Sequence, residues 1–379
     1  IEALIEQYCP EGIEFKDLRE VAKISNGKDH KYLEAGNYPV YGSGGIMRYV
    51  NQFLYNVESV LIPRKGSIGN IFYVSEPFWT VDTIFYTKID RRSITPKFLY
   101  YYLKTLDLTE LNFAGGVPSL TKTILDRISI PIPPLPVQEE IVNILDKFTT
   151  LEAELEAELE ARKTQYEFYR NQLLNFEGKD VEWKTLGEIG VFIRGNGLQK
   201  KDFTSSGVGC IHYGQVYTFY GIYAYSTKTF VSNDFAKKLK KAKKGDLIIA
   251  ATSENVEDVC KAVAWLGDNQ IAISGDAFIF RHNQNPKFIA YYFKTNSFFE
   301  NKKRFATGTK VIRVSGESMA KIPIPIPPLP EQERIVAILD KFDALVNDIS
   351  EGLPAEIRAR RKQYEYYRNK LLTFKPLVN

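Results

Sequence analysis

From Ile141 onward, apolar residues recur in alternating steps of four and three. Ile141, Leu145, Phe148, Leu155, Leu159, Tyr166, Tyr169, Leu173 and Phe176 fill nine of eleven such positions, and Glu152 and Arg162 take the other two. That spacing marks a long helix packed along one stripe against a partner helix. About 40 residues at ~1.5 Å each predict a rod of roughly 60 Å. A second stripe runs through Ile335, Leu339, Phe342, Val346, Ile349, Leu353, Ile357, Arg360, Tyr364, Tyr367, Leu371 and Phe374. Its two successive steps of four, at 349–353–357, form a stutter. Gly352 and Pro354 sit inside that stutter and predict a kink or short break. Neither stripe is stable when exposed to water. The two rods are therefore expected to pack on each other, antiparallel, with a domain inserted between them.

The rods are copies. Ile130–Phe148 and Ile324–Phe342 are identical at 16 of 19 positions, and Gln165–Phe176 matches Gln363–Phe374 at 9 of 12. Each copy starts with alternating Ile and Pro and then Pro133-Pro134-Leu135-Pro136 or Pro327-Pro328-Leu329-Pro330. Proline fixes φ and keeps its predecessor out of the helical region, so these lead-ins must be extended until the last proline enters the first helical turn. Glu139 and Glu333 suit the positive end of the helix that follows.

Weaker echoes extend the repeat. Gly12–Leu18 and Asp180–Leu186 each open a globular half, and Thr80-Val81-Asp82 echoes Ser274-Gly275-Asp276. Pro96-Lys97-Phe98 with Tyr101-Tyr102 echoes Pro286-Lys287-Phe288 with Tyr291-Tyr292, each at the spacing of a short helix over about 96–105 and 286–295. Runs rich in β-branched and aromatic residues predict strands at 59–62, 70–74, 83–87, 246–251, 262–266 and 277–280. Ile1–Tyr8 has the spacing of a helix end, and Cys9-Pro10-Glu11-Gly12 stops it. The expected fold class is α/β: two β-rich α/β domains joined by two long antiparallel coiled-coil helices, with an internal pseudo-two-fold repeat. The expected boundaries are 1–129 for the first domain, 130–176 for the central helical region, 177–323 for the second domain and 324–379 for the distal helical region.

Composition narrows the function by exclusion. A net charge of +4 permits anionic partners without demanding them. Cys9, Cys210 and Cys260 are too few and too scattered for a disulfide framework or a zinc site, which suggests a reducing compartment. There is no basic-then-apolar leader pattern and no apolar run of about 18 residues, so a soluble cytoplasmic protein is expected, with no membrane partner. The chain begins at Ile1 rather than Met, so residues upstream of it are expected. There is no phosphate-binding loop, since Gly308-Thr309-Lys310 lacks the upstream glycine, and Arg194-Gly195-Asn196-Gly197 lacks a third glycine for a dinucleotide site. His30, His212 and His282 are unpaired in sequence, and no catalytic or metal constellation is expected.

The duplicated Ile-Pro-x-Pro-Pro-Leu-Pro-x-Gln-Glu…Ile-Leu-Asp motif, set in an order of domain, helix, domain, helix, resembles the DNA-specificity subunits of type I restriction–modification systems. Further matching pieces are Cys9–Glu14, Tyr41–Ile46, Arg64–Gly69 and Tyr213–Tyr217. The resemblance implies a non-catalytic subunit in which each globular half is a target-recognition domain for one half of a bipartite site on double-stranded DNA. It implies that the helices hold the halves apart and dock modification (methyltransferase) subunits, through which restriction subunits join. S-adenosylmethionine, ATP and Mg²⁺ are then expected in those partner subunits, and no cofactor in this chain.

Candidate DNA contacts follow from glycine-rich loops that bring backbone and side chains close to phosphate or base. In the first half these are Tyr41, Ser43, Arg64, Lys65 and Ser67, with Lys122 after Gly115-Gly116. In the second they are Arg194, Lys200, Lys201, Tyr213 and Gln215, then Ser253 beside Thr252, and Lys310 and Arg313 after Gly308. Arg suits guanine and the Gln amide suits adenine. The six lysines within 237–244 read either as phosphate contacts or as a solvated helix face. Every one of these loops also reads as an ordinary turn with solvated charges. Pro134, Leu135, Gln138 and Glu139, with Pro328, Leu329, Gln332 and Glu333, are candidates for a structural hinge or a docking surface for partner subunits. Glu152–Glu160 reads as a solvated or partner-facing flank, and the Tyr pairs 166/169 and 364/367 as seam packing. The rival reading is a duplicated coiled-coil scaffold that binds only proteins.

Overall fold

The Ile-Pro lead-ins become strands because alternate backbone N–H groups are enough for a two-stranded ladder and proline occupies the others. Ser129–Pro131 pairs antiparallel with Phe15–Asp17, and Pro323–Ile326 pairs with Glu182–Thr185, burying Ile130 and Ile324 fully. The computed structural model describes residues 7–111, 118–348 and 350–377. Most of the expected opening helix (residues 1–6), Gly115-Gly116 and seam residue Ile349 lie outside the described residues.

The central rod is one helix of 39 residues, Leu135–Leu173. The distal rod breaks as expected, into helices Leu329–Asn347 and Leu353–Leu371. At the break the chain passes so close to the end of the first helix that a Cβ on Gly352 would lie 2.3 Å from the Ala344 carbonyl oxygen. Among the described residues, no helix is long and apolar enough to cross a membrane.

The chain divides into two compact units, Ile1–Ala157 with Glu356–Asn379, and Glu158–Ala355. Each unit therefore holds one globular head together with part of the central helix and one segment of the distal rod.

In the first unit the head carries a four-stranded antiparallel sheet, in the order Ala22–Asn26, Ile84–Ile89, Ser59–Pro63, Phe72–Val74. A three-stranded sheet orders Gly45–Val50, Ala35–Gly42, Trp79–Thr80. Helix Pro96–Leu103 buries Phe98, Leu99, Tyr101 and Leu103. Along the rods, Phe148 stacks on Tyr367 at 5.6 Å, and Arg361 forks between Glu152 and Glu156 at 2.5 Å each. Residue numbers rise on one helix as they fall on the other, so the packing is antiparallel. The acid at seam position 152 meets a cation there. Beyond the distal helix, Ile13 N–H donates to the Lys375 carbonyl at 2.9 Å, and Leu377 N–H donates to the Ile13 carbonyl at 3.0 Å. Gly12, at φ +116°, makes that approach possible.

In the second unit a five-stranded sheet orders Gly190–Arg194, Ala277–His282, Leu247–Ala250, Ala262–Trp265, Tyr223–Ala224. A four-stranded sheet orders Thr229–Val231, Val208–Ile211, Ile271–Ile273, Lys241–Ala242. The rod packing is again antiparallel. The buried Tyr166 donates to Asp343 Oδ1 at 3.1 Å and Tyr169 stacks on Phe342 at 5.5 Å, while Leu173 and Phe176 share a cleft with Glu331 and Arg334.

The six strands expected from sequence are all present, with ends shifted by no more than two residues. Ala22–Asn26, Ala35–Gly42, Gly190–Arg194 and Val208–Ile211 were not legible. Their Gly, Lys, Asn and Pro residues interrupt the alternation, and at most one face or one end of each is buried. The lysine run is not a helix face. Helix Asn233–Ala236 ends before it, and Lys241–Ala242 is a strand. The Thr80-Val81-Asp82 echo is displaced by one residue. Val81 N–H donates to the Tyr41 carbonyl as Ser274 N–H does to Ile211, and Arg64 N–H donates to the Thr83 carbonyl as Ala251 N–H does to Asp276. Val81-Asp82-Thr83 is therefore the counterpart of Ser274-Gly275-Asp276.

One duplicated clasp explains the strongest repeats. Gln138 is fully buried, and its amide donates to the carbonyls of Pro133 (2.7 Å) and Ser93 (2.9 Å) while accepting from Thr95 N–H (2.8 Å). Two turns on, Asp146 accepts from Tyr101 Oη at 2.6 Å and from Lys97 Nζ at 2.5 Å. In the second unit, Gln332 joins the Pro327 carbonyl (2.8 Å), Gln284 (2.8 Å) and Asn285 N–H (3.0 Å), and Asp340 holds Tyr291 (2.8 Å) and Lys287 (2.7 Å). The rod motif thus grips the helix of the Pro-Lys-Phe motif in each head. Removing a buried amide that serves three partners is expected to cost about 1–3 kcal/mol. Gln138→Ala and Gln332→Ala should each lower the unfolding free energy of their own unit, read from urea titration, by that amount, while Glu139→Ala, on an exposed neighbour, should change it by less than about 0.5 kcal/mol.

Candidate nucleic-acid interface

In the first head, three loops come together. The turn at Ser43-Gly44 closes the hairpin of Ala35–Gly42 and Gly45–Val50, and its Ser43 carbonyl accepts from Asn70 Nδ2 at 3.2 Å. A Cβ on Gly66 (φ +80°) would lie 3.2 Å from Ser43 Oγ, and Gly66 N–H donates to the Pro118 carbonyl at 3.0 Å. Lys65 bridges to Ser119, and the Arg64 carbonyl accepts from Leu120 N–H at 2.8 Å. Ser43, Arg64, Lys65, Ser67 and the segment leading to Lys122 are therefore one cluster. Lys65, Ser67 and Lys122 are exposed. Tyr41 is half-buried against Phe72 and Phe78, and burial raises its phenol above the ordinary range. The Arg64 guanidinium lies over the Phe85 ring, 5.7 Å from its centre.

In the second head, the loop after strand Gly190–Arg194 runs against Ile273-Ser274, where a Cβ on Gly195 would lie 2.2 Å from the Ser274 carbonyl oxygen. Arg194 is exposed and donates through Nε to the Gly275 carbonyl at 3.0 Å. Tyr213 N–H donates to Ser274 Oγ at 2.8 Å, and the Tyr213 ring packs on His212 at 4.5 Å. Lys200 and Lys201 are exposed, and Lys200 is near enough to His212 to disfavour its protonation. The Gln215 amide is already engaged: it accepts from His212 N–H at 2.8 Å and donates to Thr229 Oγ1 at 3.1 Å. It caps a short helix and is not a free reader of adenine.

Ser253 sits on a small ladder in which Thr252 pairs with Arg313 and Ser253 with Ile312. Lys310 and Arg313 are exposed on the hairpin facing it. The loop beyond Ser253 is tied down by the buried Lys302, whose Nζ donates to the carbonyls of Val259 (2.6 Å) and Glu257 (2.8 Å). Next to it Cys260 takes a left-handed φ of +65°.

Matching hydrogen bonds reveal which loops correspond. Leu120 N–H donates to the Arg64 carbonyl as Val314 N–H does to Ala251, so Arg64-Lys65 is the counterpart of Ala251-Thr252, with Ser253 next in line. Gly27 presses on Thr80 and Val81 as Gly195 does on Ile273 and Ser274, so Asn26-Gly27-Lys28 is the counterpart of Arg194-Gly195-Asn196. Sequence reasoning passed over Asn26–Lys28, although an Asn-Gly step before a lysine was a visible turn signal.

Of the residues proposed for partner docking, Gln138 and Gln332 are internal, and their part is to position what surrounds them. Pro134 and Leu135 are half-buried, and Glu139, Pro328, Leu329 and Glu333 are exposed. Beside Pro328, a cleft of about 460 Å³ is lined by Tyr169, Leu173, Phe176, Pro327, Pro328 and Arg334, among others.

Residues 10–161 and 178–359 both match the family model described as the type I restriction modification DNA specificity domain. The chain is 33% identical over 389 residues to a putative type I restriction enzyme specificity subunit of Haemophilus influenzae, covering 96% of each. It is 35% identical over 298 residues to a type I restriction enzyme specificity subunit of Escherichia coli, covering 76% of this chain and 73% of that one. Its fold is similar to a chain from a structure of a type I restriction–modification system (TM-score 0.65, 16% identity, 96% and 98% covered). It is also similar to the crystal structure of the system's S subunit from M. genitalium (TM-score 0.56, 15% identity, 95% and 96% covered).

Two histidines make the second unit acid-sensitive. Burial, then Lys200, holds His212 below its ordinary pKa of 6.5, with Asp276 opposing. Burial pushes His282 down to about 4, with Asp246 opposing. Both are neutral when folded and bind a proton more readily when unfolded, so stability is lost as pH falls from about 6.5 toward about 4. Urea titrations followed by fluorescence of Trp183 and Trp265 should show the midpoint dropping across that window, and His282→Gln should flatten the drop.

Proposed function

The chain belongs to the type I restriction–modification DNA specificity family, and on that premise we propose that each of its heads reads one half of a bipartite target on duplex DNA. The observation that carries this reading is the equivalence of the loops. Each head places the Gly27 or Gly195 loop and the Arg64–Lys65 or Ala251–Thr252 loop at the same positions on the same scaffold. What differs is the side chains those loops present, as two readers of different half-sites require. Base choice needs side chains at base edges, with phosphate contacts setting register. Lys65, Ser67, Arg194, Lys200, Lys201, Lys310 and Arg313 are exposed for such contacts.

The chain in this reading is an address and not a catalyst. Methyltransferase subunits dock on the helical regions, with the cleft beside Pro328 and the exposed Leu329 and Glu333 as the surface, and restriction subunits join through them. S-adenosylmethionine, ATP and Mg²⁺ belong to those partners. Mobility shifts of duplex DNA with the chain, alone and with a methyltransferase subunit, test the reading directly. Binding that ignores sequence in both cases would favour a protein-binding scaffold instead.

The unbroken helix Leu135–Leu173 supplies residues to both units, and in this reading its length sets the gap between the half-sites. Four helical residues add about 6 Å, against roughly 3.4 Å per base pair. Inserting four residues near Ala157 should widen the preferred gap between half-sites by one or two base pairs when methylated sites are mapped with the reconstituted complex. An unchanged gap would refute the spacer role.

A further inference from the structure

The two heads carry very different charge. Residues 178–323 hold 22 Lys and Arg against 13 Asp and Glu, whereas residues 10–129 hold 15 against 13. Part of that excess lies around one loop, and part lies in Lys302–Lys321. Lys200, Lys201, Lys238, Lys240 and Lys243 are exposed, and among the described residues none of them has an acidic partner within ion-pair distance. Their neighbours Lys237 and Lys244 are paired, with Asp234 at 2.8 Å and Asp268 at 2.7 Å.

The unpaired lysines stand on a fixed backbone. Asn196 Nδ2 donates to the Lys238 carbonyl at 2.9 Å, and Lys240 N–H donates to Asn196 Oδ1 at 2.7 Å. From the other side, Ile273 N–H donates to the Lys240 carbonyl at 3.1 Å. Leu239, between the two lysines, is buried and reaches toward Gly197. Lys238 and Lys240 are thus held outward beside the Arg194–Gly197 loop, which itself cannot retreat because Gly195 already touches Ile273 and Ser274. A merely solvated lysine run needs no such anchoring. In the first head, the equivalent Lys28 has its carbonyl taken by Trp79 Nε1 at 3.0 Å, and no lysine run accompanies it.

We propose that Lys238 and Lys240, clamped by Asn196, form a ridge that contacts DNA phosphates, together with Lys201 on the segment whose Leu198 and Phe203 share one small core with Leu239, so that the second head supplies most of the chain's sequence-independent hold on the duplex. The inference rests on the DNA-recognition reading and adds a division of labour to it: both heads choose bases, but one of them grips.

The test uses the full chain and a duplex of arbitrary sequence, about 30 base pairs long, titrated by fluorescence anisotropy between about 50 and 200 mM salt. Each phosphate contact contributes about 0.9 to the slope of log affinity against log salt. The K201Q/K238Q/K240Q variant should therefore have a slope shallower by about 2–3. The K201R/K238R/K240R variant should keep the parent slope. A matched triple on exposed lysines of the first head's own candidate loops, K28Q/K65Q/K122Q, should change it by no more than about 1. Equal losses from the two Gln triples, or no loss from the first, would overturn the ridge. Discrimination between the mapped target and a scrambled duplex is scored separately in the parent chain. Its absence would defeat the recognition reading, whereas preserved discrimination with a flat slope response would defeat the ridge alone.

Discussion

The architecture depends on a buried polar clasp made twice. A glutamine one turn into each rod and an aspartate two turns later reach a helix of the adjoining head, and every hydrogen-bonding atom of the Gln138 amide nitrogen and oxygen finds a backbone partner. Such groups are costly to bury unpaired, so only one relative placement of head helix and rod satisfies them. Apolar packing alone would tolerate slippage along the rod. The clasp does not, and it turns a flexible junction into a fixed angle within each unit.

This also accounts for the uneven pattern of repetition. Residues in the clasp and the rods recur nearly unchanged, because each has a partner at a defined distance. The Asp340 carboxylate, for example, needs Tyr291 and Lys287 just as Asp146 needs Tyr101 and Lys97. The candidate loops are held largely through their backbone, as where Leu120 N–H meets the Arg64 carbonyl and Val314 N–H the Ala251 carbonyl. They keep their glycines only where backbone meets backbone, at Gly27 and Gly195, and otherwise diverge in length and charge. A scaffold that holds loops still while leaving their side chains free is what a family of readers with different targets requires.

The buried groups around the second head's loops show how that stillness is obtained. Lys302 fastens the segment beyond Ser253 by donating to two carbonyls, and Asp246 receives Arg281 at 2.8 Å while accepting from Lys243 N–H at 2.9 Å, which anchors the end of the lysine run. Rigid loops lose little entropy on binding, so their contacts translate into affinity more fully than those of mobile ones.

The sequence by itself determined the rods, the break at Gly352, the extended Ile-Pro lead-ins and the six strands whose apolar runs are continuous, because helical period, proline geometry and β-branched runs are local properties. It also determined the duplication, and through it the family resemblance. Tertiary structure alone decided that Gln138 and Gln332 face inward, that the Gln215 amide caps a helix, that the lysine run is a turn leading into a short strand and clamped by Asn196, and that Arg64-Lys65 corresponds to Ala251-Thr252. Apart from the Gln215 cap, whose bonds span 3 and 14 positions, those outcomes depend on hydrogen bonds between residues about 40 or more positions apart, such as Asn196 with Lys240 or Gln138 with Thr95. No periodicity along the chain encodes such pairings, since only the folded sheets bring the partners within reach.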